Sequence, residues 1–315
     1  MFTPERTEAA IAAEKSGHGA YAIDWESADE RIRLCKGIVT DTNQQMDPER
    51  LSVLKAVYEE NPGEEPVLLR AKLLERLLQT KKLFLDENPV VGTLTSIRCG
   101  LYAYPEWSCD WIKDEMDMAK ICSLGEIVIP DETKELMMGV YKQWKGRTVR
   151  DTADINYKNL YGINPRPYIN SGMLYDVMNV SLGSGCANYN MILTKGARGV
   201  LAEVEESIAH LRHQSGDYRK LAFLQGIKIV LNAFIEWAHR YAALCEETAA
   251  RESDARKKAE LLETAEICRW VPENPARNFR EAVQSYWFAH LLVEIEQMGC
   301  ANSPGRLRQF LYPFY

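Results

Sequence analysis

The stretch from Val271 to Tyr315, VPENPARNFREAVQSYWFAHLLVEIEQMGCANSPGRLRQFLYPFY, decides how the rest of the chain is read. Pro272 and Pro275 end whatever helix precedes them, because proline disfavours helical geometry just before it. Asn278 then offers a side-chain oxygen to the free N–H groups of a new helix, and Glu281 stands at the third helical position, where its carboxylate can reach back. Gly299 falls where a helix of this length would end. Pro304-Gly305 predicts a turn, and the remainder, RLRQFLYPFY, is strongly aromatic. An apolar end without a polar tail predicts a surface meant to pack against further polypeptide, hence a chain cut short of a complete domain. Expressed alone, such a chain is expected to self-associate or bind apolar dyes.

The same helix grammar repeats upstream. Ser27 and Glu30 form a capping box before RIRLCKGIV. Asp47 and Pro48 open a second helix, with proline at the first helical position. Pro66 opens a third, in which Leu69, Leu73, Leu74, Leu77 and Leu78 fall on one stripe. The stretch 83–108 is broken by Pro89, Gly92, Gly100 and Pro105 and predicts irregular chain with one or two short strands. Helix is expected again from Trp107 to about Cys122 and from Asp131 to about Trp144. A connection rich in Gly, Asn and Pro follows at 159–172. Asp217 to about Ala250 is a long helix with Leu221, Leu224, Leu231, Phe234, Ala238, Tyr241 and Cys245 three or four apart. Another helix runs through 253–271. The fold class is mainly α with a few short strands, without internal repeats or low-complexity linkers.

Composition narrows the function classes. The chain has 315 residues and a formal net charge of −7, and 46% of its residues are apolar, so it can bury a substantial core. The acidic balance argues against a nucleic-acid partner, which would need a basic face. No stretch reads as the ~18 or more apolar residues of a membrane span. The N-terminus carries charges where a signal peptide needs an apolar run, so a cytoplasmic location is expected. The eight cysteines include no C-x-x-C pair and none at ligand spacing from a histidine. They are expected to be reduced packing residues, with no metal and no nucleotide bound by this chain.

The motifs of the closing stretch resemble the glycyl radical enzymes, the pyruvate formate-lyase-like group. They are Pro272, Pro275, Arg277, Phe279, Glu281, Ala282 and Gln284, then Ser303, Gly305, Arg306, Gln309, Leu311, Tyr312 and Pro313. Upstream, Arg70-Ala71-Lys72, Tyr104-Pro105-Glu106 with Trp111, and the run Trp144 to Thr148 resemble further family segments in the family's order. The likeness extends over 27–315, with 1–26 as an N-terminal extension, and is closer to the dehydratase and decarboxylase branch than to formate lyase proper.

The resemblance implies that these residues form the N-terminal helical part of a ten-stranded α/β barrel. It implies a glycyl radical made by an activating enzyme that uses S-adenosylmethionine and an iron–sulfur cluster. It also implies a thiyl radical on a cysteine that attacks a small-molecule substrate, and a homodimer at full length. The family's cysteine lies in a G-C-x-E loop and its radical glycine in an R-V-x-G-[YF] loop. Neither string occurs here, so no catalytic residue is assigned within this chain, and the chain alone is expected to be inactive. Cys186 and Cys300 follow glycines but lack the glutamate.

Three substrate-pocket candidates remain: Ser184, Asn188 and Arg306. In the family segment G-H-x-x-P-D-Y, Ser184 stands in place of histidine and Asn188 in place of aspartate, so a charged pair becomes two neutral hydrogen-bonding groups. Arg306 could hold a carboxylate bidentately, or only neutralise nearby helix C-termini. Arg308 stands where the family usually has aspartate. Gly183-Ser184-Gly185 reads equally as a simple turn with Asn188 capping the next helix, and Gly196 and Gly199 as sites of close helix approach. His239 and His290 read as satisfied core histidines, His210 and His213 as a surface pair, and Glu106 as either a cavity rim or a buried structural carboxylate. A non-catalytic helical interaction module on the same scaffold is the competing reading.

Overall fold

A computed structural model describes residues 29–41, 44–86, 88–114, 116, 127–174, 185–213, 217–297 and 302–315. The chain divides into two compact units, 1–42 and 43–315. In the first, helix α1 spans Glu30–Asp41 and exposes Ile32 and Leu34. Its expected cap, Ser27, lies outside the described residues.

The second unit starts with strand β1 (Gln44–Met46), the centre of a three-stranded parallel sheet. Its neighbours are β2 (Gly100–Leu101), with Gln45 opposite Gly100, and β3 (Ile127–Val128), with Gln45 opposite Val128. The sequence placed short strands only in 83–108, so β2 is found and β1 and β3 are additions. Asp47 closes β1 and opens helix α2 (Glu49–Glu60). Its carboxylate accepts from Glu49 N at 2.9 Å and from Ser96 N and Oγ, which fixes the irregular chain before β2.

Helix α3 (Pro66–Thr80) buries all five leucines of the expected stripe. It packs on α9 (Tyr218–Arg251), which is capped by Asp217 and also meets α8 (Tyr189–His213) and α10 (Ala255–Trp270). By length and composition α9 could cross a membrane, contrary to the reading that no stretch does. Its apolar character has another use here: Phe234, Trp237, Ala238, Tyr241 and Cys245 lie in the core with essentially no exposed surface. Helix α11 (Phe279–Glu296) is capped by Asn278, which accepts from Glu281 N at 3.0 Å as its spacing predicts.

Between β2 and α8 lie α4 (Asp110–Asp114), α5 (Asp131–Trp144), α6 (Val149–Tyr161) and α7 (Arg166–Asn170). Helix α6 is a further addition. It carries a full capping box, Thr148 with Asp151, and ends at Gly162 in the left-handed conformation. Helix α12 (Leu307–Leu311) and a 3₁₀ turn, Tyr312–Phe314, end the chain. There Leu311 is buried, while Tyr312 and Tyr315 are exposed.

Gly196 explains one of the two expected close approaches. It sits inside α8 with φ +66° and ψ 168°, a break in the helix. The loop 272–274 enters the break: Ala197 N donates to Pro272 O at 2.8 Å and Arg198 N to Glu273 O at 3.0 Å. A Cβ at Gly196 would lie 2.5 Å from Glu273 O and 2.6 Å from the Asn274 carbonyl carbon. A side chain at Gly199 would meet only Lys195 of its own helix, so Gly199 serves no such approach.

Candidate functional site

The two stretches that hold the pocket candidates meet. Gly185 and Asn302 form an isolated parallel bridge, and Ser303 N donates to Gly185 O at 2.9 Å. Just beyond, Gly305 has φ +68°, and a Cβ added there would collide with Cys186 Sγ unless that side chain moved. The predicted Pro304-Gly305 turn therefore exists, and its glycine is favoured first by its left-handed conformation.

Beneath this junction is an aromatic floor, buried at Tyr189 and half-buried at Tyr286 and Phe310. Tyr189, the first residue of α8, is 2% exposed. Its ring meets Tyr286 edge-on at 4.9 Å and lies 5.6 Å from Phe310. Tyr286 in turn stacks on His290 and contacts Phe310. Tyr189 Oη and His290 Nδ1 are 2.9 Å apart, and Asn302 Nδ2 donates to the same oxygen at 3.4 Å. Burial pushes the Tyr189 phenol up to about 12, so it stays protonated at neutral pH.

The rim above is polar and open: Cys186, Asn188, Ser303 and Arg306 are all exposed. Asn188 lies in the turn into α8, where its backbone carbonyl accepts from Met191 N at 3.1 Å. Arg306 is the N-cap residue of α12 and makes no ion pair among the described residues. Ser184 lies outside the described residues, next to Gly185. The fold thus brings the Asn188 and Arg306 segments to one place. An open rim with an amide, a hydroxyl and a guanidinium can hold a small polar or anionic molecule. Sequence reasoning missed Asn302, whose partner Tyr189 is 113 residues away. It took His290 for a satisfied core histidine, and satisfied it is.

Other candidates resolve as structural. Glu106 is buried and pairs with fully buried Arg50, whose Nη1 also reaches Ala103 O at 3.0 Å. The Arg50 guanidinium lies 3.8 Å over the Tyr104 ring, and the Tyr104 hydroxyl donates to Glu294 O at 2.8 Å. Tyr104-Pro105-Glu106 is therefore a buried knot rather than a cavity rim. His239 pairs with Glu273 at 3.0 Å in the loop at the α8 break. Lys81 is fully buried and donates to Leu94 O and Tyr102 Oη, and burial pulls its ammonium down to about 8.

Cys109, Cys245 and Cys268 are buried thiols whose burial raises their pKa, which makes them unreactive packing groups. A groove of about 720 Å³ lies between α8 and α9, lined by His210, Arg219 and Phe223 among others, at the end of α8 opposite the junction. Among the described residues no three His, Cys, Asp or Glu side chains converge as metal ligands.

Residues 25–315 match the family model described as pyruvate formate lyase-like. The chain is 30% identical to the isethionate sulfite-lyase of Nitratidesulfovibrio vulgaris, over 92% of this chain and 36% of that protein. Among solved structures it resembles the glycerol-bound B12-independent glycerol dehydratase from Clostridium butyricum, with a TM-score of 0.81, 29% identity, and coverage of 91% of this chain and 36% of that one. A glycyl radical enzyme from Archaeoglobus fulgidus matches at the same TM-score, identity and coverage. The chain spans about a third of the length of the relatives it matches.

Proposed function

Since the chain belongs to the pyruvate formate lyase-like family of glycyl radical enzymes, we propose that it supplies a helical wall and part of the substrate rim of a glycyl radical lyase. The reaction class is cleavage of a C–O, C–N, C–S or C–C bond in a small polar molecule, of the dehydratase or decarboxylase type. The radical glycine and the thiyl cysteine belong to polypeptide outside these 315 residues. Ser184, Asn188 and Arg306 hold the substrate. A radical-SAM activating enzyme, a homodimeric full-length protein and a cytoplasmic location are part of the same reading, with residues 1–26 as an extension of the domain 27–315.

One observation carries this reading: the bridge from Gly185 to Asn302, which joins the two candidate segments beside the buried Tyr189 ring. A carbon or sulfur radical survives only where solvent is excluded and the reactant is held in place; the open rim of this junction serves the holding and leaves the exclusion to the rest of the enzyme. Neutral Asn188 and cationic Arg306 suit a substrate with a hydroxyl and a carboxylate or sulfonate.

The test begins with the gene. An in-frame continuation past Tyr315 with a G-C-x-E loop and an R-V-x-G-Y-like loop is expected. That product, activated anaerobically, should show a glycyl radical signal by electron paramagnetic resonance. It should also turn over at least one of isethionate, glycerol or trans-4-hydroxy-L-proline, while residues 1–315 alone turn over none. A stop codon directly after Tyr315, with no activating-enzyme gene beside it, overturns the proposal in favour of a non-catalytic helical module.

A further inference from the structure

We infer that His290 is a positioning residue: acting through the Tyr189 hydroxyl, in the tautomer that carries its proton on Nε2, it locks the Asn302 segment against the start of α8. The inference rests on the reading above only in taking this junction as substrate-facing.

The argument is one of donors and acceptors. An asparagine Nδ2 can only donate, so the 3.4 Å contact makes Tyr189 Oη an acceptor from Asn302. The phenolic proton must then point elsewhere. Tyr189 is 2% exposed, so water does not take it, and the acceptor within reach is His290 Nδ1 at 2.9 Å. Nδ1 therefore presents its lone pair. A neutral ring in that state carries its proton on Nε2, on the side of Glu294, whose Oε1 is 3.9 Å away. The ring is held in that orientation by stacking on Tyr286 (25° between planes) and Trp287 (28°).

The chain of bonds runs from α11, through the first residue of α8, to the segment that leads into α12. It crosses beside the Ser303–Gly185 hydrogen bond. Removing the Tyr189 hydroxyl frees both the Asn302 amide and the His290 imine at once. The bridge then rests on its own backbone contacts.

The test uses two readouts on the intact chain, neither of which needs a substrate. Nitrogen NMR of ¹⁵N-histidine-labelled protein at pH 8 should show His290, assigned by its loss in His290→Gln, with Nε2 protonated and Nδ1 as a hydrogen-bonded acceptor. In Tyr189→Phe the Nδ1 resonance should move to the value of a free imine nitrogen. A proton on Nδ1 in the unmutated protein overturns the inference without recourse to any variant. Amide exchange gives the second readout. Tyr189→Phe and His290→Leu should speed exchange at Ser303 N–H about tenfold, while Tyr241 N–H in the α9 core keeps its rate. Equal acceleration at both amides, or none at Ser303, means a purely structural role and overturns it. Absence of lyase turnover in the longer product would leave both measurements as they are, so the two readings fail separately.

Discussion

Two arginines in this chain could hardly be placed more differently. Arg50 has no exposed surface; Glu106, the Ala103 carbonyl and the Tyr104 ring all engage its guanidinium. Arg306 is exposed, at the head of a one-turn helix, with no ion pair among the described residues. Arg50 has its charge met within its own fold, with only its buried Nε left without a hydrogen-bond partner, whereas Arg306 has no counter-charge among the described residues. A charge paired with internal partners holds the architecture together, and a charge left open at a junction of two segments is available to something else. The same contrast separates the α3–α9–α10–α11 core from the rim at Gly185 and Asn302.

The sharpest way to break that contrast is to orphan Arg50. Glu106→Ala should cost about 3–5 kcal/mol, because it leaves a buried cation without its counter-charge, and urea unfolding would read the loss. A midpoint within experimental error of the parent would mean that the knot is not a support. Next in size is Gly196→Ala. It combines a left-handed φ with a backbone collision, and it should destabilise by about 2–4 kcal/mol in the same assay. Gly199→Ala, three residues on, should change stability by no more than about 1 kcal/mol, since the better helix propensity of alanine offsets a close contact of its Cβ with Lys195 Cβ at 3.0 Å. Equal losses at the two glycines would refute the account of the kink.

Lys81 gives a pH test of the core. Its folded value, about 8, lies below the 10.5 of an exposed lysine, so between those values the unfolded chain binds more protons. The penalty for burying the ammonium is fully present below pH 8 and is relieved as pH rises. Lys81 by itself should therefore add on the order of 2 kcal/mol from pH 8 to 10, while the buried thiols of Cys109 and Cys245, raised from 9.0 to about 11, take stability away from about pH 9 upward. The Lys81 part is the difference between two slopes: thermal unfolding of Lys81→Met should lose stability more steeply than the parent over pH 8 to 10. The smallest effects belong to the rim: Asn188→Ala and Arg306→Ala should change unfolding free energy by less than about 0.5 kcal/mol. Turnover by the longer product should nevertheless fall. A large stability loss at Arg306 would erase the distinction drawn between the two arginines.

Much of the helical scaffold could be read from the sequence because its signals are local. Asn278 with Glu281, Asp217, Pro66 and the leucine stripe of α3 each act within a turn or two of the chain. Helix α6 escaped notice for a physical reason. Its apolar residues Ile155, Leu160 and Tyr161 are exposed, so it has no buried stripe to reveal it. Thr148, Asp151 and Gly162 were the available clues. Strands β1 and β3 are two or three residues long and draw their stability from partners far along the chain, so no alternation marks them. The site was half visible. Asn188 and Arg306 stood out through family likeness, but their meeting depends on Asn302 and Tyr189, which nothing in a single sequence pairs.

The break at Gly196 gives α8 two allegiances. Its first turns, led by Tyr189, are tied to α11 through Tyr286 and His290. Its later turns carry Val200, Val204 and Ile208, which pack on Leu221, Leu224 and Ile227 of α9. What looks like one continuous rod is therefore a pair of short ones, joined at a residue with no side chain and wedged by a loop. The two halves of α8 thus answer to different neighbours: a change in how the later turns seat on α9 meets that joint before it reaches the turns beside the Gly185–Asn302 bridge.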